Sequence, residues 1–257
     1  MSYIGQTALI TGGSSGVGAA TALQLAQRGI NVVVNYNVSE AGALAVVDNV
    51  IKCGCDALAV QGDVSKEEDC RRIVGQTLEK FGRLDILINN AGTTTFIPHH
   101  DLEGLTEAIW HRTLGVNLMG AFFMTRAAAP YLREADAGKV VMTSSIASVT
   151  ANGSSIAYCA SKAGMNSLTK TLARTLGKEG IQVNAVLPGL IDGDWAFNTW
   201  GGGDEGQYDE LKAAFSEQTP LGHVVTPDDV ADAILSFVTG SRYVTGQLLT
   251  LDGGFTL

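Results

Sequence analysis

Runs of consecutive apolar residues, Ile86-Leu87-Ile88 and Val140-Val141-Met142 among them, constrain this chain more than any other feature. A strand with one wet face alternates apolar and polar residues, so an unbroken apolar run reads as a strand covered on both faces. Parallel sheets sandwiched between helices are built this way. Strands are expected at residues 7–11, 31–36, 57–61, 84–89, 139–144, 182–187 and 247–251, with helix-length amphipathic segments between them. That alternation implies an α/β fold in which a doubly wound, parallel, seven-stranded sheet carries helices on both faces. The 257 residues suit one such core, and 46% hydrophobic against 17% charged residues supply enough apolar matter to fill it. A single domain over residues 1–257 is therefore expected. Right-handed crossovers bring all the strand C-termini to one edge, where ligands should bind.

Charge and composition narrow the partners. A formal net charge of −9 argues against nucleic acid, whose binding draws on clustered Lys and Arg. No stretch of about 18 apolar residues suggests a membrane span, and the first residues lack a basic segment leading into a long apolar one. A cytoplasmic protein is the expectation. Four cysteines (Cys53, Cys55, Cys70 and Cys159) have no second pair or histidine at ligand spacing, so they read as reduced thiols and no metal is expected.

One stretch breaks the rhythm. Residues 190–222 hold Gly201-Gly202-Gly203, Trp195, Trp200 and a short helical candidate at 207–217, and so long an irregular insertion in a compact domain reads as a substrate lid. Thr226, followed by Pro227-Asp228-Asp229, marks the next helix start.

Two sites stand out as chemical. Thr11-Gly12-Gly13-Ser14-Ser15-Gly16-Val17-Gly18 links the first strand to a helix. Glycines there allow positive φ and close backbone approach, and a helix N-terminus offers N–H groups and positive dipole to a pyrophosphate. Gly12, Ser14, Ser15, Gly16, Val17 and Gly18 are thus candidate dinucleotide contacts. A carboxylate usually closes the second strand of such units, holding the ribose hydroxyls of NAD and repelling a 2′-phosphate. Here the strand ends Val34-Asn35-Tyr36-Asn37, which favours NADP(H) and leaves NAD(H) possible, with Asn35 and Tyr36 beside either form.

The second is Tyr158-Cys159-Ala160-Ser161-Lys162, in a run of helix formers that sets phenol and ammonium on one face. A neighbouring ammonium favours phenolate and should lower a pKa otherwise near 10. Ser144-Ser145 closes the fifth strand at the ligand-binding edge, 13 residues earlier.

These motifs, with Asn89-Asn90-Ala91-Gly92, Asn117 and Pro188-Gly189, resemble in order and over nearly the whole chain the classical short-chain dehydrogenases/reductases, a Rossmann-type family. Texture is similar to 3-oxoacyl-carrier-protein reductases and glucose dehydrogenases. The resemblance implies hydride transfer between a nicotinamide and a carbonyl or alcohol carbon. Tyr158 would exchange the proton, Ser145 would polarise the substrate oxygen, Lys162 would tune Tyr158 and hold the nicotinamide ribose, and Asn117 would hold a relay water. It further implies that Asp63 and Val64 contact the adenine, that Asn90, Ala91 and Gly92 line the adenosine ribose side, and that Pro188, Gly189 and Ile191 flank the nicotinamide. A homotetramer pairing the helices of Asn117 and Tyr158 is implied as well.

NADPH-dependent reduction of a carbonyl to a secondary alcohol is the leading expectation. The alternatives are an NAD-dependent alcohol or sugar dehydrogenase and a dinucleotide sensor without catalysis. Taken alone, Asp63 also reads as a helix cap, and Asn90-Ala91-Gly92 as a strand-ending turn. Where the family often carries a threonine on the nicotinamide carboxamide, this chain has Gly193, leaving Asp192, Asp194 or backbone for that task. Trp195 and Trp200 either pack on substrate or anchor the lid, and the lid's acids weigh against a highly anionic substrate.

Overall fold

The computed structural model describes residues 3–257. Its seven strands are β1 (Thr7–Ile10), β2 (Asn31–Tyr36), β3 (Ala57–Gln61), β4 (Ile86–Asn89), β5 (Lys139–Thr143), β6 (Gln182–Pro188) and β7 (Leu248–Leu251). All pair in parallel in the order β3-β2-β1-β4-β5-β6-β7. Strand ends differ from expectation by a residue or two. β4, for example, starts at Ile86, and just before it the Asp85 carboxylate accepts from the Thr7 N–H at 2.9 Å and pairs with Arg83 at 2.7 Å.

The helices are α1 (Gly16–Ala26), α2 (Glu40–Lys52), α3 (Glu67–Phe81), α4 (Glu107–Leu114), α5 (Ala121–Leu132), α6 (Ala147–Thr150), α7 (Ile156–Leu176), α8 (Asp194–Thr199), α9 (Glu205–Gln218) and α10 (Pro227–Thr239). Successive strand residues point to opposite faces, and each face has its own core. Ile10, Val34 and Val141 pack with α1, α2 and α10 on one side. Leu9, Val33 and Met142 pack with α3, α5 and α7 on the other. Burying each such side chain contributes about 1.5–3 kcal/mol, which is why unbroken apolar runs occupy the sheet centre.

Thr226 caps α10 as expected. Its hydroxyl accepts from the Asp229 N–H at 3.2 Å, and the Asp229 carboxylate accepts from the Thr226 N–H at 2.9 Å. Between α4 and α5 the chain winds as a π-helix over Gly115–Gly120 and carries Asn117 into the interior. Residues 190–222 are more ordered than the irregular insertion expected. α8 forms there, and α9 runs longer than 207–217 because Asp204 caps it, accepting from the Gln207 N–H at 2.9 Å.

The chain steps from β1 outward to β3, then returns to place β4 on the other side of β1. The loops after β1 and β4 part at this reversal, and a cleft of about 780 Å³ opens there. That volume suits a dinucleotide together with a small substrate.

Candidate active site

The cleft begins where β1 ends. The Thr11 hydroxyl accepts from the Asn90 and Ala91 N–H groups at 3.0 Å each, locking the loop after β4 against the glycine turn. Asn90 adds a clamp, its Nδ2 donating to the Thr11 and Gly12 carbonyls at 3.1 and 2.9 Å. Gly12 has φ +61°, and a Cβ there would stand 2.9 Å from Ala91 Cα; a Cβ on Gly18 would stand 2.4 Å from the Gly12 carbonyl oxygen. Only glycine fits at either position. Ser15 at the N-cap of α1 makes no side-chain cap hydrogen bond to the first-turn amides. An anion is their natural acceptor, and the cradle fits a dinucleotide pyrophosphate. Gly12, Ser14, Ser15, Gly16 and Val17 line the cleft, whereas Gly18 serves the turn's packing and is not on its wall.

At the end of β2 the geometry departs from expectation. The Asn35 side chain is buried, its Nδ2 donating to the Val60 and Gly62 carbonyls at 3.2 and 3.1 Å and its Oδ1 accepting from the Gly12 N–H at 3.4 Å. It therefore braces the turn from beneath and has no amide hydrogen to spare for a ribose. Tyr36 is corrected outright: it packs in the core with Ala43 and Val46 and does not line the cleft. The rim passes to Asn37, Val38 and Ser39, just beyond the strand, where side chains are no longer held between sheet and helix.

Asp63, Val64, Asn90, Ala91 and Gly92 lie along the cleft as expected. Asp63 does not cap α3, whose N-cap is Lys66. Its carboxylate accepts from the Ser65 N–H and hydroxyl at 3.0 and 2.7 Å and from Arg112 at 2.7 Å. Burial pushes the carboxyl up, but these hydrogen bonds from Ser65 and Arg112 outweigh it and hold it below the usual carboxylate range. Arg112, also on the cleft wall, escaped the sequence reading, because 49 residues separate it from Asp63 and no local spacing signals the pair.

The catalytic candidates converge from two elements. Ser145 leaves the end of β5 and its hydroxyl accepts from the Ala147 N–H at 3.1 Å. Ser155 caps α7 by accepting from the Tyr158 N–H at 3.2 Å, and Ser144 pins that helix to β5 by donating to Asn166 at 2.7 Å. Tyr158 and Lys162 are buried one turn apart, the Lys162 ammonium standing 5.6 Å from the Tyr158 ring centre. Ser145, Tyr158 and Lys162 all line the cleft, as does Thr143, whose buried hydroxyl has no partner among the described residues. Asn117 stands behind them. Its Oδ1 accepts from the Thr93 N–H at 2.8 Å, and its Nδ2 donates to the Thr93 carbonyl and the Ser161 hydroxyl at 3.0 Å each.

The expected lowering of the Tyr158 pKa by Lys162 is not found. Burial pushes the phenol well above its usual value, with the Ser145 hydroxyl the one group pulling it down. Lys162 directs its Nζ at the Thr143 carbonyl, 2.8 Å away, with the ammonium 5.6 Å from the ring centre. Burial also brings the ammonium down, to about 8.

Pro188, Gly189 and Ile191 lead from β6 along the cleft to Gly193, which has φ +144°. Asp192 is occupied: its two oxygens accept from the Tyr208 hydroxyl at 2.8 Å and from Lys212 at 2.9 Å, and Tyr208 Oη in turn accepts from the Gly193 N–H at 3.0 Å. This removes Asp192 from the carboxamide task and leaves Asp194 or backbone. Tyr208 and Lys212 share the spacing of Tyr158 and Lys162, a signal present in the sequence and passed over there. No group of three or more metal-ligating side chains is assembled, and no helix is long and apolar enough to cross a membrane, among the described residues.

A family model described as Enoyl-(Acyl carrier protein) reductase matches residues 12–256. A candidate ketoacyl reductase of the granaticin polyketide synthase of Streptomyces violaceoruber is 42% identical, covering 96% of this chain and 94% of that one. The 3-oxoacyl-[acyl-carrier-protein] reductase of a Synechocystis strain is 37% identical over 98% of this chain and 97% of its own. Among solved structures, levodione reductase superposes with a TM-score of 0.90 at 30% identity, covering 98% of both chains. With this likeness added to the glycine cradle and the convergence of Ser145, Tyr158 and Lys162, the chain belongs to the classical short-chain dehydrogenases/reductases, NAD(P)-dependent oxidoreductases acting on C=O and CH–OH groups.

Proposed function

We propose that this protein reduces a neutral ketone to a secondary alcohol with NADPH, using Tyr158 as proton donor. One observation carries the reading: Ser145, Tyr158 and Lys162 line the same cleft as the glycine cradle, so a carbonyl can meet the phenol and a nicotinamide together. A bound nicotinamide dinucleotide supplies the hydride to the carbonyl carbon. Tyr158 gives its proton to the carbonyl oxygen, and the C=O π bond is replaced by one C–H and one O–H bond. Burial keeps the phenol protonated, which suits a donor in the reductive direction. Ser145 orients the oxygen. Lys162 holds the nicotinamide ribose, and its lowered pKa of about 8 lets it return a proton toward Tyr158 near neutral pH. Asn117, its side chain tied to Thr93 and Ser161, holds the relay water.

The absence of a carboxylate from the rim residues Asn37, Val38 and Ser39 supports NADPH, as does the turning away of Tyr36, which leaves room beside the ribose. The relative named L-rhamnose 1-dehydrogenase (NAD(P)(+)) carries both cofactor forms in its name, which keeps the NAD-dependent alcohol or sugar dehydrogenase as the second reading. We assign residues 190–222 the role of lid. Exposed Met119 and Phe122 near Asn117, and Leu249 on β7, support a homotetramer through those faces, and the four free thiols suit a cytoplasmic location. Titration with NADPH and NADH, followed by turnover on ketones and alcohols, tests the reading: tighter NADPH binding with ketone reduction is expected, while NADH preference with alcohol oxidation selects the second reading.

A further inference from the structure

The aromatic side chains of the lid divide into two sets. One anchors it. Tyr208 and Ala196 are buried, Phe197 meets the Tyr208 ring edge-on at 5.6 Å, and Asp192 binds Tyr208 and Lys212. The other set is spare. Trp195 is 49% exposed and Trp200 36%, and both line the cleft. Trp200 meets the half-exposed Phe96 edge-on at 5.4 Å. Trp195 stands closest to the chemistry, its ring 5.9 Å from that of Tyr158 with the planes 57° apart. With the lid anchored elsewhere, these indoles are apolar surface left open beside the reacting group, a surface that a flat apolar ligand would cover.

Charge limits that ligand further. Among the described residues, the cations lining the cleft are Lys162, 5.6 Å from the Tyr158 ring centre, and Arg112, paired with Asp63. The lid contributes Asp192 and Asp194 to the same wall. Nothing on the substrate side pairs with a carboxylate or phosphate.

We infer that the substrate is a neutral ring ketone, a flat carbocycle with its carbonyl in the ring, and that Trp195 determines this specificity by stacking on the ring while Tyr158 meets the carbonyl oxygen. The inference rests on the ketone-reductase reading. Hydride from the dinucleotide goes to the ring carbonyl carbon and the Tyr158 proton to its oxygen, so the ketone is reduced to a cyclic secondary alcohol as the dinucleotide is oxidised.

The test compares 2-tetralone with the open-chain ester ethyl 3-oxohexanoate, using the full-length protein and its preferred nicotinamide dinucleotide. Both kcat/KM and calorimetric binding are measured. 2-Tetralone should be preferred by about tenfold or more, the scale of one good aromatic contact with its buried area. Trp195→Ala should erase about tenfold of that preference through KM, and Trp195→Phe, which keeps a ring, should restore most of it. Preference for the ester, or an equal loss on both ketones in Trp195→Ala, overturns the substrate class while leaving the reductase reading in place. Calorimetric binding of 2-tetralone that depends on Trp195, with no reduction of either ketone, overturns the reductase reading instead.

Discussion

Two helices of this protein carry a tyrosine followed four residues later by a lysine, and the two pairs do opposite things. In each, the ammonium stands over the ring, at 5.6 Å for Lys162 on Tyr158 and 5.4 Å for Lys212 on Tyr208. On α7 the pair is buried with no carboxylate beside it, so burial drives the phenol up and the ammonium down. On α9 the pair is wetter and shares Asp192, whose hydrogen bond to Lys212 holds that ammonium above its usual value. Helical spacing sets the contact, whereas burial and the third group decide which way the two groups are shifted and whether the pair fastens a loop.

The comparison is broken most severely at Tyr158. Tyr158→Phe should lower kcat by about 10³-fold with cofactor affinity nearly unchanged, because it removes only the transferable proton; single-turnover rates and a dinucleotide titration measure the two separately. Lys162→Met should also abolish useful activity, yet raise stability by about 1–3 kcal/mol at pH 7, since a buried ammonium held at about 8 costs folding free energy. The sign follows from proton counting: between pH 8 and 10.5 the unfolded chain holds a proton that the folded chain lacks, so this group's contribution becomes more favourable as pH rises through that window. Urea unfolding at pH 7 and pH 10 should show a smaller rise in Lys162→Met than in the parent.

The α9 pair should respond more weakly. Tyr208→Phe leaves Asp192 and the Gly193 N–H without their shared hydroxyl, an expected loss of about 1–2 kcal/mol and a raised KM, read by thermal unfolding and steady-state kinetics. Lys212→Met should change stability by less than about 1 kcal/mol, because the Lys212–Asp192 pair is partly exposed and screened. Its effect on KM should shrink in 1 M salt, where the parent's ion pair is weakened too.

What could be read in advance follows the same division. The seven strands were legible because burial on both faces leaves an unbroken apolar run, and the cradle because Gly12 and Gly18 sit where no Cβ fits. Ser145, Tyr158 and Lys162 were legible from their order and their place at the sheet edge. Contacts made at a distance were not. Arg112 meets Asp63 across 49 residues, and Asp192 finds Lys212 across 20. Tyr36 misled because a residue closing a strand can turn to core or to cleft, and only the packing of α2 beside it decides. The direction of the Tyr158 pKa was not legible because spacing fixes proximity without saying how deeply the pair is buried.

The reversal of strand order at β1 bears on how the molecule is made. The first three strands can pair as soon as they exist, but Thr11 and Gly12 gain their partners at Asn90 and Ala91 only after β4 has crossed to the far side of β1. Until then the cradle is braced from beneath by Asn35 without its clamp from the loop after β4, and Tyr158 on α7 lies further still along the chain. Cofactor binding is thus a property of the whole sheet, acquired late, and a folding intermediate holding only the first βαβαβ unit would be a protein without a site.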